Sequence, residues 1–261
     1  MADELPVLRE DNAGVTTLTL NRPEARNALS LGMLRALRAS LAAIAADASA
    51  RVIVIAGRGP AFCAGHDLKE MREQNYSRAY TEELFLECAG AMQDIVRLPK
   101  PVIARVHGAA TAAGCQLVAT CDLAIAAECA RFGTPGVNIG LFCSTPMVAL
   151  SRNVGNKHAM QMLLTGELID AQEAMRTGLL NDAVPLAELE TRTEALARQI
   201  ASKSPLTLAI GKEAFYAQAP LPLDEAYDYT RQVMVRNLES EDAREGIGAF
   251  LDKRAPIWRG R

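Results

Sequence analysis

Two short turns, glycine-containing and nearly free of charge, lie about fifty residues apart and constrain this chain more than any other feature. The first is Gly57-Arg58-Gly59-Pro60-Ala61-Phe62-Cys63-Ala64-Gly65-His66-Asp67, and the second is His107-Gly108-Ala109-Ala110-Thr111-Ala112-Ala113-Gly114-Cys115-Gln116. Each follows an apolar strand-like run and precedes a helix-like one. Small residues let backbones approach closely, and a helix start leaves its first N–H groups without partners. A turn of this kind standing alone is more often a structural loop than a site. Two such starts facing one another form a receptor for a negative charge developing on one oxygen, such as that of a thioester carbonyl.

The surrounding pattern is α/β. Val15 to Leu20 alternates as a strand and is broken by Asn21-Arg22-Pro23, after which Ser30 caps an amphipathic helix carrying Leu31, Leu34, Leu37, Leu41 and Ile44. Arg51 to Ala56 and Val102 to Val106 read as buried strands, each leading into one of the turns. A helix is expected from about Ser77 to Arg97, stopped by Leu98-Pro99-Lys100-Pro101, and another to about Thr120; Leu123 to Ala126 is a further strand. Strand, turn and helix recur with crossovers long enough for parallel pairing. Beyond Asp170 the pattern is helical, at about 171–178, 187–202, 205–218, 223–237 and 239–251, with a short Ala183-Val184 strand. The expected division is a core over 1–195 and a helical region over 196–261.

Composition narrows the function. The chain has 261 residues, is 49% apolar and 23% charged, and has a net charge of −3, which favours neither nucleic acid nor a membrane surface as partner. The apolar, uncharged run from Val106 to Cys121 is too short to span a bilayer. Met1-Ala2-Asp3-Glu4-Leu5 is acidic and resembles neither a secretory signal nor a transit peptide, so the expected compartment is the cytoplasm. Cys63, Cys88, Cys115, Cys121, Cys129 and Cys143 form no C-x-x-C pair and read as buried free thiols; with His66, His107 and His158 scattered, no metal site is expected. The first turn places Phe62 where a dinucleotide fingerprint needs its third glycine, and the chain holds neither a phosphate loop nor a G-x-S-x-G elbow.

Taken in order along the chain, Leu20-Asn21-Arg22-Pro23, Ala61-Phe62-Cys63-Ala64-Gly65-His66-Asp67-Leu68-Lys69-Glu70, His107-Gly108 with Gly114-Cys115, Cys121-Asp122-Leu123-Ala124-Ile125-Ala126, Phe132-Gly133-x-Pro135, Ala171-x-Glu173-Ala174 and Phe250-Leu251-x-Lys253-Arg254-x-Pro256 resemble the enoyl-CoA hydratase/isomerase (crotonase) superfamily. Within it, the stretches around Gly65, Gly114 and Gly136 look most like the enoyl-CoA hydratase domain-containing protein 3 group. The resemblance implies a crotonase-like spiral of ββα turns with a C-terminal helical trimerisation region. It also implies a homotrimer or dimer of trimers, and an acyl-CoA thioester whose coenzyme A is part of the substrate rather than a separate cofactor. It places the oxyanion donors at the N–H groups of His66 and Ala113. Around coenzyme A it places Ala25, Arg26, Ala64, His66, Asp67, Leu68, Lys69 and Lys253. On the residues alone, the lysines read equally as solvated charges, and Asp67 and Asp122 as helix-start and strand-start carboxylates.

The chain departs from the hydratase pattern where protons move. The resemblance implies glutamates at 116 and 136, but these positions hold Gln116 and Gly136. An amide does not exchange protons usefully near neutral pH, and glycine has no side chain. Gln116 can orient a water or substrate group, or satisfy local backbone. Ser144 and Thr145 can face the thioester, or cap the helix that Pro146 begins. Cys143 has no neighbouring base to activate it, and His107 reads as a loop residue bonded to backbone. Glu70 and Glu87 are candidate substitute carboxylates; Tyr76, Tyr80, Phe85 and Met92 line either a pocket or the core. Three readings follow: an enolate-stabilising acyl-CoA enzyme without paired carboxylates, a weak hydratase or isomerase, and a CoA-thioester binder without turnover. The first includes a malonyl-type decarboxylase. The Ala-Gly-His-Asp string resembles that of methylmalonyl-CoA decarboxylases, although Cys143 stands where those have a tyrosine. The chain reads as the hydratase scaffold without the hydratase acids, a deficit that a Gln116→Glu, Gly136→Glu double variant would test directly.

Overall fold

The first element is one the alternation of Val15 to Leu20 does not announce. A computed structural model describes residues 5–261, so the acidic start at Met1–Glu4 lies outside the described residues. Strand β1 (Val7–Asn12) pairs antiparallel with β2 (Val15–Leu20) across a two-residue turn in which Ala13 and Gly14 both take positive φ, 49° and 83°. Positive φ at both positions is the geometry that matches strand twist in a tight hairpin. β1 is an edge strand with polar, exposed Glu10 to Asn12, which hides it from a hydrophobicity reading.

From β2 the large sheet continues with β3 (Val52–Gly57), β5 (Val102–Val106), β7 (Leu123–Ala127) and β10 (Asp182–Val184), all parallel. Both faces are covered, and its central strands β3 and β5 are therefore apolar except for Arg105, which pairs with Glu190 at 2.9 Å. Ile53 and Ile55 point toward α1 (Leu31–Ala46), which buries Met33, Leu34, Leu37, Leu41 and Ile44; the Ser30 hydroxyl accepts from the Met33 N–H at that helix's start. Val52 and Val54 face Ala197 and Ala201 of α8 (Leu189–Ala201). The division expected at residue 195 falls inside α8.

Each of three large-sheet strands is followed within a few residues by a short strand of a second sheet: β4 (Ala61–Cys63), β6 (Ala109–Thr111) and β8 (Arg131–Gly133). That sheet is parallel and is completed by antiparallel β9 (Ile169–Asp170). After β4 come α2 (Leu68–Glu73) and α3 (Arg78–Arg97), after β6 comes α4 (Ala113–Thr120), and after β8 come α5 (Pro146–Asn153) and α6 (Asn156–Thr165). This is the spiral of strand, strand and helix turns. All eight residues of α4 are buried, which makes it the central post.

After α7 (Ala171–Arg176) and α8, the chain ends in α9 (Pro205–Gln218), α10 (Leu223–Leu238) and α11 (Glu241–Leu251). Buried Lys212 fixes α9 to the core, donating to the carbonyls of Ile95 and Lys100 at 2.9 Å and to Asp122 at 2.7 Å. Asp122 also accepts from Tyr216 and the Val102 N–H, so it is structural as expected. Asp242, at the start of α11, accepts from the Ser204 hydroxyl and from the N–H groups of Arg259 and Gly260, and its own N–H donates to the Arg261 carbonyl. These helices otherwise leave Phe215, Leu223, Tyr227, Met234, Phe250 and Leu251 exposed. Among the described residues, no helix is long and apolar enough to cross a membrane.

Candidate active site

The short sheet builds the site by ending three parallel strands side by side. Its register pairs Cys63 with Ala110 and Thr111 with Gly133, so Ala64-Gly65-His66, Ala112-Ala113 and Thr134 leave from one edge. Ligands of parallel sheets gather at such carboxyl ends. The Thr111 hydroxyl donates to the Ala64 carbonyl at 3.0 Å, and the Ala112 N–H donates to the Gly133 carbonyl at 2.9 Å.

The two turns touch. A Cβ on Gly65 would lie 2.9 Å from the Ala112 Cβ and 3.4 Å from the Ala113 nitrogen; one on Gly114 would lie 2.1 Å from the Cys63 carbonyl oxygen. Gly65 has φ +96°, and Ala112 holds φ 51° with ψ −117°, a strained pairing for a residue with a side chain. Around His66, the Leu29 N–H donates to the Gly65 carbonyl at 2.7 Å and the Asp67 N–H to the Leu29 carbonyl at 3.3 Å. In a parallel bridge of that kind the middle residue's own N–H faces the other way. Neither it nor the N–H of Ala113, first residue of α4, donates to any group among the described residues.

Several side chains at this junction are neutral near pH 7. His66 packs edge-on against Phe85, ring centroids 5.0 Å apart, and burial lowers its imidazole pKa to about 4, so it is neutral near pH 7. Burial likewise pushes the Cys63 and Cys115 thiols up to about 12, and raises Cys143. Tyr80 is raised by burial, with a contribution from Glu70 and Asp67 beside it. The Gln116 Oε1 is buried and bonds to nothing in the protein, so the local-backbone reading of this amide does not hold. Thr134, 1% exposed, likewise has an unpartnered hydroxyl. The sequence signal for Thr134 was its place directly after the third short strand, equivalent to Ala64 and Ala112, but such a strand is too short to show itself by alternation.

The segment after Thr134 closes over the second missing acid. A Cβ on Gly136 would meet the Leu141 carbonyl oxygen at 2.4 Å and the Cys143 Sγ at 2.8 Å, and the Leu141 N–H donates to the Gly136 carbonyl at 2.9 Å. There is no room for a glutamate at 136 without moving backbone, which corrects the expectation of a scaffold short only of its acids. Ser144 is exposed and reaches the Phe142 carbonyl at 3.4 Å, and neither it nor Thr145 caps α5 through its side chain. Neither substitute carboxylate stands free: Glu87 pairs with Arg38 at 2.8 Å, and Glu70 accepts from the Leu31 N–H at 3.1 Å.

Along the first turn, Asp67 caps α2 through the Lys69 and Glu70 N–H groups and pairs with Arg22 at 3.0 Å, a structural role. The Ala64 N–H is spent on the Arg26 carbonyl, and Arg26, at φ 52°, has an exposed side chain next to half-buried Ala25. Leu68 and Lys69 are exposed on α2; Lys253, φ 54°, follows α11 and is not among the groups the strand ends gather. His107 bonds to the Gly59 carbonyl at 2.8 Å, as a loop residue would. Met92 is core, Tyr76 is exposed, and Cys129, expected to be buried, is the exposed thiol among six free cysteines. Groups of metal-binding character are absent among the described residues.

A family model described as enoyl-CoA hydratase/isomerase matches residues 10–261. The chain belongs to the enoyl-CoA hydratase/isomerase family. It is similar to the human enoyl-CoA hydratase domain-containing protein 3, mitochondrial, at 51% identity over 94% of this chain and 80% of that one. It is also similar to the 2,3-dehydroadipyl-CoA hydratase of Escherichia coli, at 39% identity over 99% of each. The crystal structure of an enoyl-CoA hydratase from Mycobacterium smegmatis superposes with a TM-score of 0.95 at 52% identity, covering 98% of this chain and 99% of that one. The resemblance read from the motifs thus holds, as does the crotonase-like fold. The cytoplasmic assignment does not: the human relative and its mouse and rat counterparts are named mitochondrial, which points away from the cytoplasm. A start judged by composition alone carried that expectation too far.

Proposed function

We propose that this enoyl-CoA hydratase-like protein binds an acyl-CoA thioester and stabilises its enolate between the N–H groups of His66 and Ala113, without a pair of catalytic carboxylates. The observation that carries this reading is the meeting of two glycine-bearing turns, each presenting an amide that no other group uses. An amide donor of this type contributes about 3–4 kcal/mol to an oxyanion transition state. In this reading Arg26 flanks coenzyme A, Lys69 reaches its phosphates, and Lys253 reaches the coenzyme A of a neighbouring subunit. The exposed apolar residues of α9, α10 and α11 support a homotrimer or dimer of trimers. With Gln116 at the first acid position and no space at Gly136, two-carboxylate hydration is not the reaction assigned.

Mass spectrometry of incubations with crotonyl-, malonyl-, methylmalonyl- and long-chain acyl-CoA tests this. We expect at least one thioester to be converted, with crotonyl-CoA hydration far below the diffusion ceiling of about 10⁸–10⁹ M⁻¹s⁻¹. Crotonyl-CoA hydrated near that ceiling would overturn the reading of positions 116 and 136. Binding across the panel without any product would leave a thioester binder and remove the enolate chemistry.

A further inference from the structure

The Gly65 carbonyl and the Asp67 N–H, on either side of His66, are both taken by Leu29, at 2.7 and 3.3 Å. His66 therefore faces Leu29 as one rung of a parallel bridge that lies outside both sheets. A single rung has little stiffness of its own, so the direction of the His66 N–H depends on what fastens the two segments around it.

One side chain reaches both segments. The Arg22 guanidinium donates through Nη1 to the carbonyl of Ala28, just before Leu29, and through Nη2 to the carboxylate of Asp67, just after His66, each at 3.0 Å. Arg22 is itself held at its backbone. Its N–H donates to the Asn27 Oδ1 at 2.9 Å, and its carbonyl accepts from the Asn27 N–H at 2.9 Å. Asn27 is fully buried with φ 54°, and its Nδ2 donates to the carbonyls of Arg58 at 2.8 Å and Ala61 at 2.9 Å. The chain of bonds thus runs from the start of the first turn, through Asn27 and Arg22, to its end at Asp67.

We infer that Arg22 is a positioning residue: its guanidinium clamps the Leu29–His66 bridge and so sets the direction in which the His66 N–H meets a thioester oxygen. This deepens the enolate reading above and rests on it.

Three observations set this clamp apart from an ordinary surface ion pair. Asp67 is 8% exposed, so its charge-assisted bond to Arg22 is little weakened by solvent. A guanidinium holds separate N–H groups in one rigid plane and serves a carbonyl and a carboxylate together, whereas a lysine ammonium is a point charge on a flexible stem. The Asp67 carboxylate also divides its work. Its Oδ1 accepts from the Lys69 and Glu70 N–H groups at 3.1 and 3.2 Å, and its Oδ2 accepts from Arg22. Losing the guanidinium therefore leaves α2 capped and frees the bridge around His66.

Difference infrared spectroscopy of the full chain, bound to butyryl-CoA labelled with ¹³C at the thioester carbonyl, tests this. Hydrogen bonding lowers the carbonyl stretch whether or not the thioester turns over. Arg22→Met and Arg22→Lys should each keep only about half of the shift seen in the unaltered protein, because the Ala113 N–H still donates. Coenzyme A itself should bind each variant within about twofold of the parent in calorimetry, and the circular dichroism spectrum should be retained. A full shift in either folded variant would overturn the clamp while leaving the oxyanion reading intact. Loss of fold in both would make Arg22 a residue of the core and overturn the clamp as well. Absence of any shift in the unaltered protein would instead overturn the oxyanion reading, and the clamp with it.

Discussion

The two sides of the site are built on opposite terms. On the side of His66 and Ala113, backbone presses on backbone: Gly114 sits under the Cys63 carbonyl and Gly65 under Ala112. On the side of Gln116 and Gly136, one acid position holds an amide and the other is sealed by Leu141. Backbone donors depend on shape, so any residue that fits can supply them, whereas a carboxylate's chemistry vanishes with a single substitution. The first side is therefore fixed by packing, and the second is the side on which family members can diverge.

The comparison breaks most visibly at the glycines. Gly114→Ala should lose the folded protein or cost at least about 3 kcal/mol in urea unfolding, because its new methyl has only strand backbone to displace. Gly136→Ala, set against a loop and a thiol, should cost about 2 kcal/mol and leave the chain folded. A Gly114→Ala protein as stable as the parent would show that the first side is not packed as described. Ala113→Pro comes next. Proline is accommodated at the first position of a helix, but its ring replaces the N–H and fills the space that N–H faces, so turnover of the best thioester in the panel should fall by at least about 10²–10³-fold with the circular dichroism spectrum retained. Undiminished turnover would dissociate the Ala113 amide from the chemistry.

The smallest effect is a pH dependence. Burial holds the His66 pKa at about 4, below its ordinary value of 6.5. Between those values the unfolded chain binds a proton that the folded one refuses, so stability is lost as pH falls from about 6.5 toward 4. Thermal unfolding across that range should show about 2 kcal/mol of acid sensitivity that His66→Phe removes. The same slope in both proteins would place the imidazole in water.

Much of the first side was legible in the sequence, and little of the second. Gly65, Gly114 and the apolar strands before them announce a close backbone approach, and Ser30 and Asp67 announce helix starts through their side-chain chemistry. The loss of glutamates at 116 and 136 was equally plain. What the sequence concealed was tertiary. Strands of two or three residues such as β4, β6, β8 and β9 have no periodicity to read, so the edge from which His66, Ala113 and Thr134 depart had no local signal. The obstruction at Gly136 comes from Leu141, and only a folded loop brings those two together.

The clasp of Asp242 on Arg259, Gly260 and Arg261 has a practical side. The last three residues are sewn to the start of α11, so an affinity handle fused after Arg261 must depart from a fastened end rather than a loose one. Trimming those residues would strip a carboxylate of its partners beside Ser204, and loosen the helices that carry the exposed Phe215, Tyr227, Met234 and Phe250.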